Sequence, residues 1–308
     1  MSKQGTATLL KVINCHNTLG ENVLWHELEQ AIYWIDIEKA EILRYHPESA
    51  ALCRYPLPER IGSFAFLAPG YTHEFDIIAA FASGFALFQL ASGAIKWLAK
   101  PTQMAGLRFN DGRTDRQGRF WAGTMVEHAE LAQQQGELWR LNADASLYSA
   151  VQGIGISNGL CWSPDGKTLY HADSPAHRIM QYRFCPERGQ LSAPQLFTDT
   201  PENAHPDGST VDSTGYVWNA HWGAGRVVRY APDGTENMAI TLPVSQPSSV
   251  ALGGPNKDWL MVTSSNLGLT SLQLSSQPEA GALFIYQLAG IQGLDEVFCQ
   301  LPQGWLAK

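Results

Sequence analysis

Asn158-Gly159-Leu160-Cys161-Trp162, Ser163-Pro164-Asp165-Gly166-Lys167 and Thr168-Leu169-Tyr170-His171-Ala172-Asp173 form the continuous stretch that decides the fold. An apolar run, a Pro-Asp-Gly turn and an aromatic run read as a strand, a tight turn and a second strand. The pattern is not isolated. Asn110-Asp111-Gly112 precedes Asp115, Gly118 and Trp121 at the offsets by which Asp207 precedes Asp212, Gly215 and Trp218. An earlier copy runs from Glu21 to Trp25 and then through residues 31–35. Two weaker copies cover 61–67 with 76–81, and 246–252 with 258–263. The repeat returns about every 40 to 50 residues, a period that signals a repeat architecture.

Reading back about a dozen positions from the strands centred on Trp34, Trp121, Tyr170 and Trp218 reaches Glu21, Asn110, Asn158 and Asp207. One structural position therefore repeatedly offers an oxygen donor. Each repeat also holds three or four short strands, as at 31–37, 42–45 and 52–55 in the first. This is the content of a propeller blade, and six copies predict an all-β, six-bladed propeller with four-stranded blades around a central channel. Ring closure predicts that residues 7–15 pack beside residues 282–288. The periodicity leaves no room for a boundary, so residues 1–308 are expected to form a single domain. The longest helix-compatible stretch, 127–135, reads as a short insertion between strands.

Bulk properties narrow the function. A net charge of −8 and the lack of a Lys/Arg cluster argue against nucleic acid. Residues 1–6 lack an apolar leader and no run approaches the roughly 18 apolar residues of a membrane span, so a cytoplasmic protein with no membrane role is expected. Five cysteines without motif spacing read as buried thiols rather than a disulfide frame, with Cys15–Cys299 as the one pairing to consider.

Glu21, Asn158 and Asp207 form the sharpest chemical group. Two carboxylates and an amide oxygen at equivalent positions suit one divalent metal ion: calcium, magnesium or manganese by hardness, with zinc or ferrous iron also admissible. Pro206-Asp207-Gly208 is also a turn tripeptide, like Pro164-Asp165-Gly166 and Pro232-Asp233-Gly234. Register separates them, because Asp165 aligns with a turn whereas Asp207 aligns with Asn158 ahead of an inner strand. Arg108 and Asn110 are expected at the same channel mouth, as donors to substrate hydroxyls or a developing oxyanion. Asp111 and Asp115 read as turn caps. Glu127, after the strand 120–125, reads either as an exposed loop acid or as a side chain at the mouth. His205, His221 and His128 are open between packed, solvated and substrate-facing positions; His221 follows the aromatic strand of the fifth repeat, a place from which it could face substrate or be packed. Gly155-Ile156-Ser157-Asn158-Gly159 satisfies GxSxG, but a strand rather than a helix follows the serine, which argues against a nucleophile elbow.

At these residues the chain resembles the SMP-30/gluconolactonase/regucalcin-like family of six-bladed propellers over nearly its whole length. The resemblance is carried by Leu19-Gly20-Glu21, Tyr33-Trp34-Ile35-Asp36-Ile37, Arg108-Phe109-Asn110-Asp111-Gly112 and Gly118-Arg119-Phe120-Trp121-Ala122-Gly123-Thr124-Met125. Ile156-Ser157-Asn158-Gly159-Leu160, Tyr170-His171-Ala172-Asp173-Ser174, Pro206-Asp207-Gly208 and Trp222-Gly223 continue it. It implies Glu21, Asn158 and Asp207 as metal ligands and Arg108, Asn110 and Glu127 as substrate contacts of a sugar lactonase. Two departures stand out. His128 occupies the place of a second acid after Glu127, and Asn22-Val23-Leu24 replaces a Gly/Ser-Pro pair, which is expected to alter the pocket rim.

The function this implies is metal-dependent hydrolysis of a sugar-derived lactone, an arabinono-, glucono- or galactonolactone, to its aldonic acid. The metal would act as a Lewis acid and Asp207 would double as general base. The alternatives are a calcium-binding regulatory protein without turnover, a protein-binding scaffold, and esterase or phosphotriesterase chemistry on the same metal. Arg108 argues for the enzyme, since a pocket-facing cation repels the ion a calcium buffer must hold. The preferred lactone, the native metal and the oligomeric state stay open at this stage.

Overall fold

The computed structural model describes residues 6–70, 74–102, 104–302 and 305, so the N-terminal residues read for a leader lie largely outside it. Six antiparallel sheets follow one another along the chain. Blade one comprises Gly20–His26, Ala31–Asp36, Glu41–His46 and Ala51–Pro56 from the axis outward. The inner strands of blades two to six are Ile61–Phe66, Leu107–Thr114, Ser157–Trp162, His205–Val211 and Pro247–Gly253. Each inner strand touches those of the blades before and after it, and the last touches the first. The expected six-bladed β-propeller is what this ring is.

Closure follows the expected route. Ala7–Ile13 pairs antiparallel with Leu283–Leu288, so the N-terminal strand completes the blade that holds the last strands of the chain. Covering that edge matters because an unpaired strand edge is a template for association. Blade four adds a short strand, Gln190–Leu191, beside Arg178–Cys185.

A ring with a channel has no single core. The apolar residues instead form six wedges, one between each pair of neighbouring blades. Trp34, Trp121 and Trp218 each sit fully buried in such a wedge, at equivalent positions of the repeat. Truncating any one to alanine is expected to cost about 3–5 kcal/mol. Asp115 and Asp212 repeat as well: each accepts from backbone N–H groups of its own turn and from the indole of the tryptophan six residues on. Asp115 is thus the turn cap the sequence suggested.

Near the axis every inner strand carries a register shift, at 21/24, 61/63, 109/112, 158/161, 206/209 and 247/250. A bulge turns a side chain out of the regular alternation. The shifts fall on the positions that hold Glu21, Asn110, Asn158 and Asp207, which explains how four residues inside strands all reach the channel. Gly159 permits one of them: its φ is +61°, and a Cβ there would lie 2.9 Å from Ser209 Oγ of the next blade.

Three expectations need correction. Residues 127–135 form turns and bends, and the α-helix among the described residues is Ser271–Ser276. It is set by a capping box between Thr270 and Gln273, a signal present in the sequence. Of the five free cysteines only Cys15, Cys161 and Cys299 are buried; Cys53 is exposed and Cys185 half-buried. Asn22 does not reshape the rim, because its side chain is buried, accepting from Phe64 N at 2.8 Å and donating to Gly112 O at 3.3 Å. No helix among the described residues is long and apolar enough to cross a membrane.

Candidate active site

One cavity of about 350 Å³ opens at the channel mouth, lined by Glu21, Arg108, Asn110, Asn158 and Asp207 together with Ser174, His205 and an apolar wall. Five of the six residues singled out from the sequence therefore share one pocket. Glu127 is the exception.

The two acids touch. The carboxyls of Glu21 and Asp207 lie within hydrogen-bonding reach of each other, and Asp207 Oδ1 is buried with no hydrogen-bond partner among the described residues. Burial pushes the Glu21 carboxyl well above the ordinary range, and the nearby Asp111 pushes it further. Asp207 is raised in the same sense by burial, then by Glu21 and Asp111. Asp111 itself is pushed up to about 6 by burial. It is not the turn cap expected: its Oδ2 accepts from Leu160 N of the next blade at 2.8 Å.

The third oxygen is oriented by a chain of hydrogen bonds. Ser174 Oγ donates its one hydrogen to Pro206 O at 2.8 Å, so it must accept from Asn158 Nδ2, also at 2.8 Å. That fixes the Asn158 amide with Oδ1 turned inward, where Asn110 Nδ2 meets it at 3.1 Å. Asn110 Nδ2 also donates to Ser157 O at 2.9 Å, and its Oδ1 accepts from Arg108 Nη1 at 2.8 Å. Asn110 therefore has no free donor for a substrate. Its geometry makes it a brace between Arg108 and Asn158.

Arg108 is buried, and burial lowers its pKa against the opposing pull of Glu127. Its Nε donates to Glu127 Oε1 at 3.2 Å and its Nη1 to Phe109 O and Asn110 Oδ1. Nη2, the remaining edge, has no protein acceptor among the described residues. Glu127, expected as a substrate contact, stands behind this arginine. Both its oxygens are taken by a bidentate pair with Arg60, at 2.6 and 2.7 Å, and that pairing holds its pKa below the usual carboxylate range. Arg60 and Ser174 were missed from the sequence as members of this network. Ser174 closes the motif Tyr170-His171-Ala172-Asp173-Ser174, but nothing local marks its hydroxyl as a brace.

The histidines divide. His205 lines the pocket, donating from Nδ1 toward Ser174 O at 3.3 Å and stacking on His177 with ring centres 4.5 Å apart. His221, left open by the sequence between a packed and a substrate-facing position, is fully buried against Tyr230 OH at 2.9 Å, and burial lowers its pKa to about 3. His128 is solvent-facing beside Glu130. Ser157 of the GxSxG match is fully buried with Oγ 2.8 Å from His171 Nε2, and has no path to a substrate.

Two carboxylates, one of them with an orphaned buried oxygen, and an inward amide oxygen form a donor set that fits a hard divalent cation. Among the described residues no three His, Cys, Asp or Glu side chains group as a metal site, because the third donor here is an amide.

The chain belongs to the family described as SMP-30/Gluconolactonase/LRE-like region, whose sequence pattern matches residues 19–266. It is similar to L-arabinolactonase of Azospirillum brasilense, 37% identical over 303 residues that cover 97% of this chain and 98% of that protein. It is also similar to 6-deoxy-6-sulfogluconolactonase of Pseudomonas putida, at 35% identity over 280 residues, 90% of this chain and 94% of that one. The crystal structure of a calcium-binding protein, regucalcin, from Agrobacterium tumefaciens superposes with a TM-score of 0.86 at 26% identity, covering 95% and 98% of the two chains.

Proposed function

We propose that this protein hydrolyses the ring ester of a sugar lactone to the open aldonic acid, at a divalent metal site formed by Glu21, Asn158 and Asp207. The observation that carries the reading is the contact of the half-buried Glu21 carboxyl with the buried Asp207 carboxyl beside an oriented amide oxygen, at the mouth to which Arg108 Nη2 is open. The lactonase relatives named above support the reaction class.

Buried like charges are costly unless a cation or a proton neutralises them. A bound divalent ion would supply that charge, and with it Lewis-acid polarisation of the lactone carbonyl. Calcium, magnesium, manganese, zinc and ferrous iron all take such donors. Asp207 Oδ1, which has no hydrogen-bond partner among the described residues, is the candidate acceptor for the proton of the attacking water. Arg108 Nη2 carries two donors for a ring hydroxyl or the developing oxyanion. Asn110 and Glu127 hold that arginine in place rather than touching the substrate.

The likeness to a calcium-binding regucalcin supports a second reading, calcium binding without turnover. Arg108 weighs against it, since its guanidinium has no use at a simple calcium store. Hydrolysis of a lactone panel with chelator and with each metal restored distinguishes the two. Chelator is expected to abolish turnover and one or more ions to restore it. Full activity of Asp207→Ala in metal-free buffer would falsify the proposal, and tight calcium binding with no lactone hydrolysed would favour the second reading.

A further inference from the structure

The polar cluster occupies only the floor of the pocket. Around it stand Leu19, Met125, Ile156, Pro175, Trp222 and Leu267. These residues come from five blades and from the same end of the ring. Leu19 and Ile156 immediately precede inner strands, Met125 and Trp222 lie at the ends of second strands, Pro175 is in the short 3-10 turn Ser174–Ala176, and Leu267 follows the second strand of the last blade. Together they make an apolar collar above a charged floor.

The collar carries no cation. Arg108 is the one lysine or arginine lining the pocket among the described residues, and it lies at the floor with its charge shared with Glu127. His205 has its ring face on His177 and its Nδ1 directed to Ser174 O. A sugar lactone seated with its carbonyl toward Glu21, Asn158 and Asp207 must direct the far end of its carbon chain through this collar. An uncharged hydroxymethyl or ring C–H face suits Trp222 and the aliphatic wall. A phosphate or sulfonate there would lose its hydration and gain no counter-charge.

We infer that the collar selects uncharged aldonolactones and rejects lactones bearing an anionic terminal group, with Leu267 the position at which that choice is made. Leu267 is suited to the role because its backbone is pinned while its side chain is free. Its N–H donates to Thr18 O at 3.0 Å, its carbonyl accepts from Gln246, and the residue is 41% exposed at the rim. A lysine there enters the rim without disturbing a packed core. The selectivity rests on the lactonase reading for its kinetic form, but the collar can also be tested by binding alone.

The experiment compares kcat/KM for D-glucono-1,5-lactone and its 6-phosphate at pH 7.5, spontaneous hydrolysis subtracted, in the wild type and in Leu267→Lys. The wild type is expected to prefer the uncharged lactone by roughly 100-fold or more, and the lysine to narrow the gap at least ~10-fold through KM for the phosphorylated one. Comparable wild-type rates on both lactones, or an unchanged gap in Leu267→Lys, overturns the inference. Calorimetry with 1,5-anhydro-D-glucitol and its 6-phosphate provides the arm that needs no turnover. If neither lactone is hydrolysed, the lactonase reading fails and the calorimetry decides the collar. Binding of the uncharged ring alone supports the inference; equal or tighter binding of the phosphate, or binding of neither, overturns it.

Discussion

Arg108 and Arg113 stand five residues apart on the same inner strand, Leu107–Thr114, and face opposite ends of the channel. At the back, Arg113 is satisfied: Nε and Nη2 pair with both oxygens of Glu296 at 3.2 and 2.6 Å, and Nη1 donates to Ser209 O. Glu296 arrives on the C-terminal segment, which crosses the back face and bonds there to blades two, three, five and six. At the mouth, Arg108 keeps an open edge, Asp207 keeps an orphaned oxygen, and Glu21 and Asp207 face each other without a protein cation between them. One strand thus carries a charge that is matched for stability and another left available for a ligand. Chain topology permits this, because the segment 292–300 covers the back and no described segment covers the mouth in the same way.

The largest effect expected is at the mouth. Asp207→Asn should lower kcat/KM by ~10³-fold or more while leaving the metal-free fold as stable as before or more so, since it removes one of two opposed buried charges. Added metal should raise the melting temperature of the wild type and not of this variant. A melting temperature that falls sharply in the metal-free variant would mean the acids are structural, and the contrast between the two ends would collapse.

Acid should separate the two classes of buried titratable group. His171 and His221 have folded pKa values lowered to about 4 and about 3, below the unfolded value, so the unfolded chain binds more protons under pH 6.5. Their stability is present above that pH and lost on acidification, about 2 kcal/mol for each by pH 5. Glu21 and Asp207 are raised, which has the opposite sign: in metal-free protein their protonated forms favour folding at low pH, and stability is lost as pH rises through their folded values. Metal displaces those protons, so metal affinity should weaken on acidification. Denaturant unfolding from pH 5 to 8, with and without metal, checks both signs. A metal-loaded protein whose stability is flat from pH 6.5 to 5 would contradict the histidine argument.

Glu296→Gln tests the back directly. Breaking this partly buried bidentate pair should cost about 2–3 kcal/mol in denaturant unfolding, with kcat within about twofold of wild type. A loss of activity without loss of stability would show that the two ends are coupled. The smallest effect belongs to Arg60→Ala, which frees Glu127 and loosens Arg108. It should raise KM about fivefold with kcat little changed, and Arg60→Lys should recover only part, since a lysine cannot form the two-point pair. Equal damage to kcat and KM would place Arg60 nearer the chemistry than its position indicates.

How much of this was readable in advance follows from which interactions are local. Periodic strands recur in six short segments, and Pro-Asp-Gly turns and buried tryptophans at fixed offsets mark several of them. They were enough for the blade, the number of blades and the closing strand, and enough to pick Glu21, Asn158 and Asp207 as equivalent. Asp165 and Asp207, identical in their tripeptides, were separable by register alone. The turn aspartate caps Lys167 N, while Asp207 lies in a bulged strand at the pocket. What only the folded ring decided is which side chain is left with an unspent valence. Asn110 loses its donors to Ser157 and Asn158, Glu127 loses its oxygens to Arg60, and His221 disappears behind Tyr230. These partners lie 9 to 67 residues away along the chain. A hydrogen-bond count depends on neighbours in space, and a sequence displays neighbours only along the backbone.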